Sequence, residues 1–376
     1  MAEKKILVVI GTDDGHDELL DLPDDRVVRL DPESIPSGTE LSYGDLDGRS
    51  LVLIDGSAVD VCAVLWQWPG PEVARDGLPV RSIDPAIWQE RIMRRVAGGG
   101  LERFRRRSRR RREVESLLSD LNIEVSVREH KRQALLRHLR DLHEMFPGAL
   151  WINDPLAIER VRSKPAQLMR ARAAGLDCPD STWQTSSGAK AHGTVRRLDA
   201  YGHEAVCKDV TKCCPLTADG DPEVFWTTHV APDDEDLEWD LLATEPKIIQ
   251  QFVPGTDIRV TIVGDELFPA EIIVPESAEI GLIRDHRALG QAVDLLELDE
   301  KVRRTTLPDE VRDGCLALHH VYGLQYSAID LRLTPDRRYV FLDLNAENTA
   351  FGWIEQRTGY PIGRAISRRL LAGPRD

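Results

Sequence analysis

Three polar side chains near the C-terminal end of the sequence have the types and the spacing of a metal site. Asp330 lies in the alternating run AIDLRL, and Asp343 and Asn345 lie in the alternating run YVFLDLN. The segment TPDRR between the runs contains Pro335–Asp336, which favours a turn, so the two runs predict a β-hairpin. Strand side chains repeat every two residues, so Asp343 and Asn345 share one face of the second strand. The other face carries the apolar members of that run: Val340, Leu342 and Leu344.

If the two runs pair as a hairpin, two carboxylates and an amide can lie on one face: Asp330, Asp343 and Asn345. Such hard oxygen ligands suit Mg²⁺, which proteins usually hold by one or two carboxylates together with substrate phosphates. The same pattern also fits exposed polar residues on an ordinary amphipathic hairpin. The hairpin alone does not decide between these two interpretations.

A second polar face lies in the segment 247–274, KIIQQFVPGTDIRVTIVGDELFPAEIIV. The pattern predicts three strands with turns at Pro254–Gly255 and Gly264–Asp265. Asp257 and Arg259 alternate with apolar residues, and two charges on one face of an interior strand are costly without partners. A triphosphate suits Arg259 and a ribose hydroxyl suits Asp257, but a cross-strand ion pair would satisfy them equally well.

The N-terminal part of the sequence predicts the elements of a small α/β domain that extends to about residue 90. Its apolar runs are short and separated by polar loops. Four of them read as strands: 4–10, 26–31, 50–55 and 60–70.

Helical patterns and further strands follow this region. Residues 83–98 and 129–148 read as helices, and 308–323 reads as a third, whose two adjacent histidines we interpret as structural. In 150–182 the order is a strand, an Asn-Asp-Pro turn, a short helix and a longer helix that opens at Lys164 and Pro165. The run 204–210 predicts a strand that presents Lys208, and 226–230 predicts another short strand.

Composition limits the classes of function. With 376 residues the chain is long enough for two or three domains. No apolar run approaches the roughly 18 residues that cross a bilayer, so we expect no membrane partner. The net charge of −15 argues against nucleic acid as a partner. Six cysteines without a CxxC pair argue against a zinc site and favour reduced thiols in the cytoplasm.

One segment departs from this acidic character. Residues 103–112, RFRRRSRRRR, contain eight arginines. A solvated linker explains the run most simply, and a docking patch for an acidic peptide is the sharper alternative. Only one aromatic residue, Phe104, lies among the arginines, which is less aromatic interleaving than nucleic-acid binding favours.

Known catalytic motifs do not account for the chain. The sequence contains no GxxxxGK[ST], no GxGxxG and no GxSxG motif. Its segments, in their order and spacing, instead resemble the ATP-grasp superfamily, and most closely the graspetide synthetases that include the microviridin ligases. The stretches that carry the resemblance are ILVVIGTDDGHDELLDL, WINDPLAIERVRSKPAQLMRARAAGLDCPDSTW, KIIQQFVPGTDIRVTIVGDELFPAEI, IRDHR, and IDLRL with FLDLNAENTAFGWIEQRTGYPI.

This resemblance implies a fold class and a domain order. The class is α/β (α+β), an ATP-grasp fold with an N-terminal α/β pre-grasp domain. We expect the pre-grasp domain at 1–90, a helical linker with the arginine run at 91–149, and the ATP-grasp domain with its central and C-terminal subdomains at 150–376. The family departs from this sequence at three places: it usually has Glu where Asp343 stands, a glycine-rich loop after Lys208, and a more basic segment in place of 66–70.

The resemblance also implies roles for individual residues, with ATP and Mg²⁺ as the cofactors. Lys164 and Lys208 would contact the nucleotide phosphates or adenine, and Gln251, Phe252 and Val253 would form the adenine hinge. Asp257 would hold the ribose and Arg259 the phosphates. The implied metal ligands and acceptor-peptide residues are, respectively, Asp330, Asp343 and Asn345, and Asp285 and Arg287.

The function that follows is ATP-dependent ligation on a ribosomal precursor peptide, made of a leader and a core rich in acidic residues, Thr and Ser. Side-chain carboxylates would be activated as acyl phosphates and closed into ω-ester or ω-amide rings. Two alternatives stay open: an amino-acid ligase that adds glutamate to a protein or small molecule, and a nucleotide-binding regulator without turnover. The sequence defines neither the ring pattern nor the oligomeric state, and a homodimer stays open.

Overall fold

The computed structural model describes residues 4–10, 19–32, 35, 39–46, 49–67, 134–135, 137–210, 227–233, 246–273, 302–347 and 351–374. The chain divides into two compact units. One consists of Met1–Pro69, Leu142–Thr211 and Trp226–Asp376, and the other of Gly70–Asp141 and Lys212–Phe225. In the second unit, residues 137–140 are helical, and Arg137 pairs with Asp141 over 3.0 Å.

Several predictions concern residues outside the described ranges. These are the helix at 83–98, the arginine run at 103–112 and the IRDHR element at 283–287, which carries Asp285 and Arg287. They stay predictions.

The strands and helices of the first unit follow the chain in this order. They are β1 (Lys5–Val9), β2 (Val27–Leu30), β3 (Leu41–Leu46), β4 (Arg49–Ile54), β5 (Ser57–Ala58), β6 (Val61–Trp66), α1 (Leu142–Met145), β7 (Leu150–Ile152), α2 (Pro155–Val161), α3 (Lys164–Ala173), β8 (Thr182–Thr185), α4 (Gly188–Ala200), β9 (Ala205–Asp209), β10 (Thr228–Val230), β11 (Lys247–Gln251), β12 (Thr256–Val263), β13 (Glu266–Ile272), β14 (Val302–Arg304), α5 (Asp309–Val321), β15 (Tyr326–Leu333), β16 (Tyr339–Asn345), α6 (Phe351–Thr358) and α7 (Ile362–Ala372).

The N-terminal strands form a parallel sheet in the order β2-β1-β6-β7. Ile6, Leu7, Val8 and Val9 are all buried, as the unbroken apolar run of β1 requires for a strand covered on both faces. The predicted strand at 50–55 is present as β4, but it lies in a separate antiparallel sheet of order β3-β4-β5. Strand β3 was not among the strands predicted from the sequence.

We number the parallel sheet as the first and leave the small β3-β4-β5 sheet unnumbered. The second sheet is antiparallel, in the order β10-β9-β11-β8, and carries helix α4. Ser187 caps the helix by accepting a hydrogen bond from the backbone N–H of Lys190 at 3.3 Å. The apolar core of this layer consists of residues from the helix and three of the strands: Ala191, Val195, Leu198, Ala205, Cys207, Val230 and Ile249.

The third sheet is antiparallel, in the order β14-β13-β12-β15-β16. Helix α5 covers one face, where His319 bonds through Nδ1 to the hydroxyl of Ser327 at 2.8 Å. The other face shares one continuous core with α6, α7 and the parallel sheet. Phe268, Tyr326 and Phe351 are among the buried residues of that core.

Of the two histidines on α5, His319 is buried in the core, whereas His320 is exposed and lies 3.0 Å from Asp265. Burial lowers the pKa of His319 to about 3, because the apolar surroundings disfavour the imidazolium. Within the described ranges, no helix has the length and apolar character needed to span a membrane.

Candidate active site

The predicted hairpin is present, and it brings the three candidate metal ligands together. Strands β15 and β16 are antiparallel, with Asp330 directly opposite Asp343 and Ala328 opposite Asn345. The amide Nδ2 of Asn345 donates to Asp330 Oδ2 at 3.2 Å. The amide and both carboxylates therefore lie on one face, as the alternation of the sequence predicted.

The register corrects one detail of that prediction. A bulge between Asp330 and Leu331 shifts the pairing, so Val340 lies opposite Arg332 and Phe341 lies opposite Leu331. Regular alternation back from Asp343 therefore does not extend to Val340, which lies opposite a residue of the polar face. Bulges add one residue to one strand and bend it, and here the bend falls beside Asp330.

Strand β12 adds two charged residues to the same face. In register, Arg259 lies opposite Asp330 and Asp257 lies opposite Arg332. Arg259 Nη1 is 3.7 Å from Asp330 Oδ1, and Arg332 Nη2 is 3.0 Å from Asp257 Oδ1. The cross-strand ion pairs that we considered as an alternative are thus present in the structure.

Two cations from the α2–α3 region complete the arrangement. Lys164, the first residue of α3, contacts the carboxylate of Asp343 through Nζ. Arg162, which ends α2, donates from Nη2 to Glu347 Oε1 at 2.8 Å. We call the resulting set of four ion pairs the paired cluster: Arg162–Glu347, Lys164–Asp343, Arg259–Asp330 and Arg332–Asp257.

The paired cluster is balanced in charge, although the whole chain has a net charge of −15. Its four cations match its four carboxylates, and each pair joins two different elements of the fold. Such pairing offsets the cost of holding partly buried charges away from water.

Two buried amides position the hairpin, and the sequence analysis named neither as a site residue. Gln167 on α3 accepts from the Leu344 N–H at 3.0 Å and donates to the Leu344 carbonyl at 2.9 Å. It thereby holds the backbone next to Asp343, while Lys164, one turn earlier on the same helix, holds its carboxylate. Since Gln167 is 1% exposed, these bonds are shielded from water.

Asn153, directly after β7, holds the open end of the hairpin, where β15 begins and β16 ends. Its Nδ2 donates to the carbonyls of Tyr326 and Ala346 at 2.6 and 2.7 Å. Its Oδ1 accepts from the N–H groups of Gln325 and Tyr326 at 2.8 and 3.0 Å. The only sequence signal for this role is its place in the Asn-Asp-Pro turn, because the partners lie more than 170 residues away.

The expected nucleotide hinge, Gln251 to Val253, begins at the last residue of β11 on the second sheet. The N–H groups of Gln251 and Phe252 donate to the carbonyls of Ser181 and Glu204 at 2.9 and 2.8 Å. Contact with a nucleotide base would therefore fall to the other backbone groups of this segment. The ring of Phe252 lies 4.5 Å from that of His229.

Lys208 lies on β9 beside the hinge strand. Its Nζ donates to Gln250 Oε1 at 2.6 Å, and Gln250 Nε2 donates to Thr182 Oγ1 at 3.0 Å. Gln250 is buried and was not predicted as a site residue, although it directly precedes the hinge. The two predicted lysines thus lie in different places: Lys208 on the second sheet and Lys164 at the third.

The donor set on the hairpin fits Mg²⁺. Asp330, Asp343 and Asn345 offer hard oxygen atoms, and Mg²⁺ prefers such ligands and completes its shell with water and phosphate oxygens. No group of three or more His, Cys, Asp or Glu side chains in the described part of the chain is arranged to hold a metal ion. Binding of Mg²⁺ at this site would therefore require the amide oxygen of Asn345 and a substrate phosphate as ligands, in addition to the two carboxylates.

The architecture is the ATP-grasp fold, as the resemblance predicted. Neither a protein-family model nor a curated protein sequence matches the chain. Solved structures do match over nearly its whole length, and their structural similarity at low sequence identity shows the fold alone.

Two of these structures contain a bound peptide. A RiPP-associated ATP-grasp ligase from Chryseobacterium gregarium, in complex with ADP and a leader and core peptide, has a TM-score of 0.71 and 22% identity, covering 99% of this chain and 98% of its own. The macrocyclase MdnC from Microcystis aeruginosa, bound to its precursor peptide, has a TM-score of 0.70 and 19% identity over 98% and 100%. D-alanyl-alanine synthetase A from Vibrio cholerae has a TM-score of 0.55 and 12% identity, covering 99% of this chain and 100% of its own.

Proposed function

We propose that the chain is an ATP-grasp ligase that activates side-chain carboxylates of a ribosomal precursor peptide and closes ω-ester or ω-amide rings. The observation that carries this proposal is the meeting of Asp330, Asp343 and Asn345 with the cations Lys164 and Arg259 on one sheet face. The similarity to precursor-bound ligases over 98% or more of the chain supports the choice of a peptide substrate.

The reaction begins with transfer of the γ-phosphoryl group of ATP to a side-chain carboxylate of the peptide. A P–O bond to the carboxylate forms, the bond between the β- and γ-phosphates breaks, and ADP leaves. A hydroxyl or amine of the same peptide then attacks the acyl carbon and loses its proton. Inorganic phosphate leaves, and the ester or amide closes the ring.

The cations of the paired cluster would neutralise the phosphate charge as it moves. Lys164 and Arg259 point their charged groups at the carboxylates of the hairpin, so an incoming phosphate meets donors that are already held in place. Mg²⁺ held by Asp330, Asp343 and Asn345 would screen the charge of the β- and γ-phosphate oxygens. Asp343 is shorter than the Glu that the family usually has, and its contact with Lys164 keeps the two charges adjacent.

The nucleotide base and ribose would lie along the segment that leaves the second sheet. Gln251, Phe252 and Val253 would contact the base, Lys208 would contact a phosphate or the base, and Asp257 would face the ribose. Asp257 bonds Arg332, and its carboxylate would accept from a ribose hydroxyl while it keeps that ion pair.

This chemistry requires no protein nucleophile, and two of the cysteines agree with that. Burial raises the pKa of the Cys178 thiol to about 11 and that of Cys315 to about 12. Both thiols are therefore protonated at neutral pH and are poor nucleophiles.

The acceptor peptide would be held by Asp285 and Arg287. An arginine can bind a carboxylate through two parallel hydrogen bonds, which suits an acidic core side chain that awaits phosphorylation. The partner in this proposal is a precursor peptide with a leader and a core rich in acidic residues, Thr and Ser.

Mass spectrometry tests the proposal directly. Incubation of the chain with a candidate precursor, ATP and Mg²⁺ is expected to lower the peptide mass by about 18 Da for each ring, because each condensation loses one water. Omission of ATP provides the control. A mass gain that matches an added amino acid would instead establish the amino-acid ligase, and nucleotide binding without any mass change would favour the regulator.

A further inference from the structure

Arg332 lies at the junction between the expected nucleotide segment and the metal-ligand hairpin. It follows Asp330 by two residues on β15, and its side chain is 11% exposed. Its Nη2 is 3.0 Å from the carboxylate of Asp257, and its Nη1 donates to the carbonyl of Gly255 at 3.0 Å. One guanidinium therefore holds two groups of the same short segment.

That segment lies unusually close to β15. Gly255 has φ +141°, a conformation that favours glycine, and a Cβ atom at this position would lie 2.1 Å from the carbonyl oxygen of Leu333. The next residue, Thr256, pairs in register with Leu333. The segment between β11 and β12 is therefore held by two contacts from β15: its backbone at Leu333 and the side chain of Arg332.

The chemistry of the side chain suits this double contact. A guanidinium is planar and presents its donors in a fixed fork, whereas a lysine ammonium is a single point on a flexible stem. Hydrogen bonds to a charged group are also stronger than neutral ones. Arginine is therefore a residue type well suited to holding a carbonyl and a carboxylate in a defined mutual orientation, as Arg332 does here.

We propose that Arg332 is a positioning residue that sets the span between the base-binding segment 251–257 and the phosphate- and metal-binding groups at Asp330. The inference rests on the proposed function, because it assumes that this segment binds nucleotide. Without the guanidinium, the protein still has groups for the base and groups for the phosphates of ATP. The distance between these two sets of groups is then no longer fixed at the length of one ATP molecule.

Affinity for whole and partial ligands tests this role. In Arg332→Met, we expect the Kd for ATP with Mg²⁺ to rise about tenfold or more, while the Kd for inorganic tripolyphosphate with Mg²⁺ changes less than about twofold. Arg332→Lys keeps the charge near Asp257 and cannot reproduce both bonds, so its ATP affinity is expected to lie between wild type and Arg332→Met. Arg338→Met, which removes an exposed arginine from the turn of the same hairpin, is the matched control and is expected to bind both ligands as wild type does.

Three outcomes overturn the inference: an unchanged Kd for ATP in Arg332→Met, an equal fall in affinity for ATP and tripolyphosphate, or full recovery in Arg332→Lys. Thermal unfolding of each variant identifies a general loss of structure, and Arg332→Lys then serves as the variant that keeps the fold. A wild-type chain that binds ATP but closes no ring contradicts the proposed function while the affinities still decide the role of Arg332. A wild-type chain that binds no ATP overturns both.

Discussion

Replacement of Lys164 by methionine offers a test of how the site accepts its metal ion. The Lys164 ammonium neutralises the carboxylate of Asp343, and Arg259 lies 3.7 Å from that of Asp330. A free divalent cation therefore meets a site whose negative charge is already balanced. In Lys164→Met the cluster acquires one uncompensated negative charge, so we expect the free ion to bind more tightly and the nucleotide phosphates to bind more weakly.

The expected size follows from the separation of the charges. Two unit charges about 4 Å apart interact by about 1 kcal/mol in water-like surroundings and about 4 kcal/mol near a protein surface. The lower figure is a minimum here, because the side chains of Lys164 and Asp343 are each less than a quarter exposed. Because the ion carries two charges, the gain is at least about 2 kcal/mol, or a Kd at least about 30-fold lower.

Electron paramagnetic resonance of Mn²⁺ measures this effect without turnover. Titration of the wild-type chain and of Lys164→Met with Mn²⁺, each with and without ATP, gives the affinity of the free ion and its dependence on nucleotide. Lys190→Met is the matched control, since Lys190 lies on α4 over the ring of Trp183 and its loss also removes one positive charge. Equal or weaker binding of free Mn²⁺ in Lys164→Met would refute the reasoning, as would an equal gain in Lys190→Met.

Two further predictions concern the metal ligands and the stability of the fold. Asp343→Asn and Asn345→Ala are each expected to lower ring closure in the mass assay at least about 100-fold while thermal unfolding stays near wild type, because charge neutralisation in the transition state is lost. Asp336→Asn, in the hairpin turn, is the control, and wild-type rates in either ligand variant would exclude the assignment. His319 has a pKa of about 3 in the folded chain and 6.5 ordinarily. Its contribution to stability is therefore present above pH 6.5 and is lost as pH falls towards 3, by about 1.4 kcal/mol per pH unit. Urea unfolding at pH 7 and pH 5 is expected to show a smaller loss for His319→Gln than for wild type, and equal losses would contradict this.

The parts of the site that the sequence predicted are those that local rules control. The alternation of AIDLRL and YVFLDLN around a Pro-Asp turn is sufficient to predict a hairpin and the common face of Asp343 and Asn345. The same rule identified the polar face of β12. The choice between ligand contacts and ion pairs stayed open, because the alternation within one strand does not show which residues lie opposite it on the neighbouring strands.

The parts that were missed depend on contacts between distant segments. Gln167 and Leu344 are 177 residues apart, and Asn153 and Ala346 are 193 apart. An isolated Gln in a helix or an Asn before a turn carries no local sign that it will satisfy a buried backbone. The bulge beside Asp330 likewise depends on how β16 pairs, and regular alternation gives no warning of it.

The ion pairs on β12 and β15 have a consequence for how the sheet forms. Their charges alternate in opposite order, with Asp257 and Arg259 on one strand facing Arg332 and Asp330 on the other. If the strands slipped by two residues in one direction, Asp257 would face Asp330, and in the other direction Arg259 would face Arg332. Either slip places like charges opposite each other, which is unfavourable, and a slip of one residue moves the whole polar set to the apolar face. The charged residues proposed to bind the nucleotide therefore also favour the observed register of β12 and β15 over registers shifted by one or two residues.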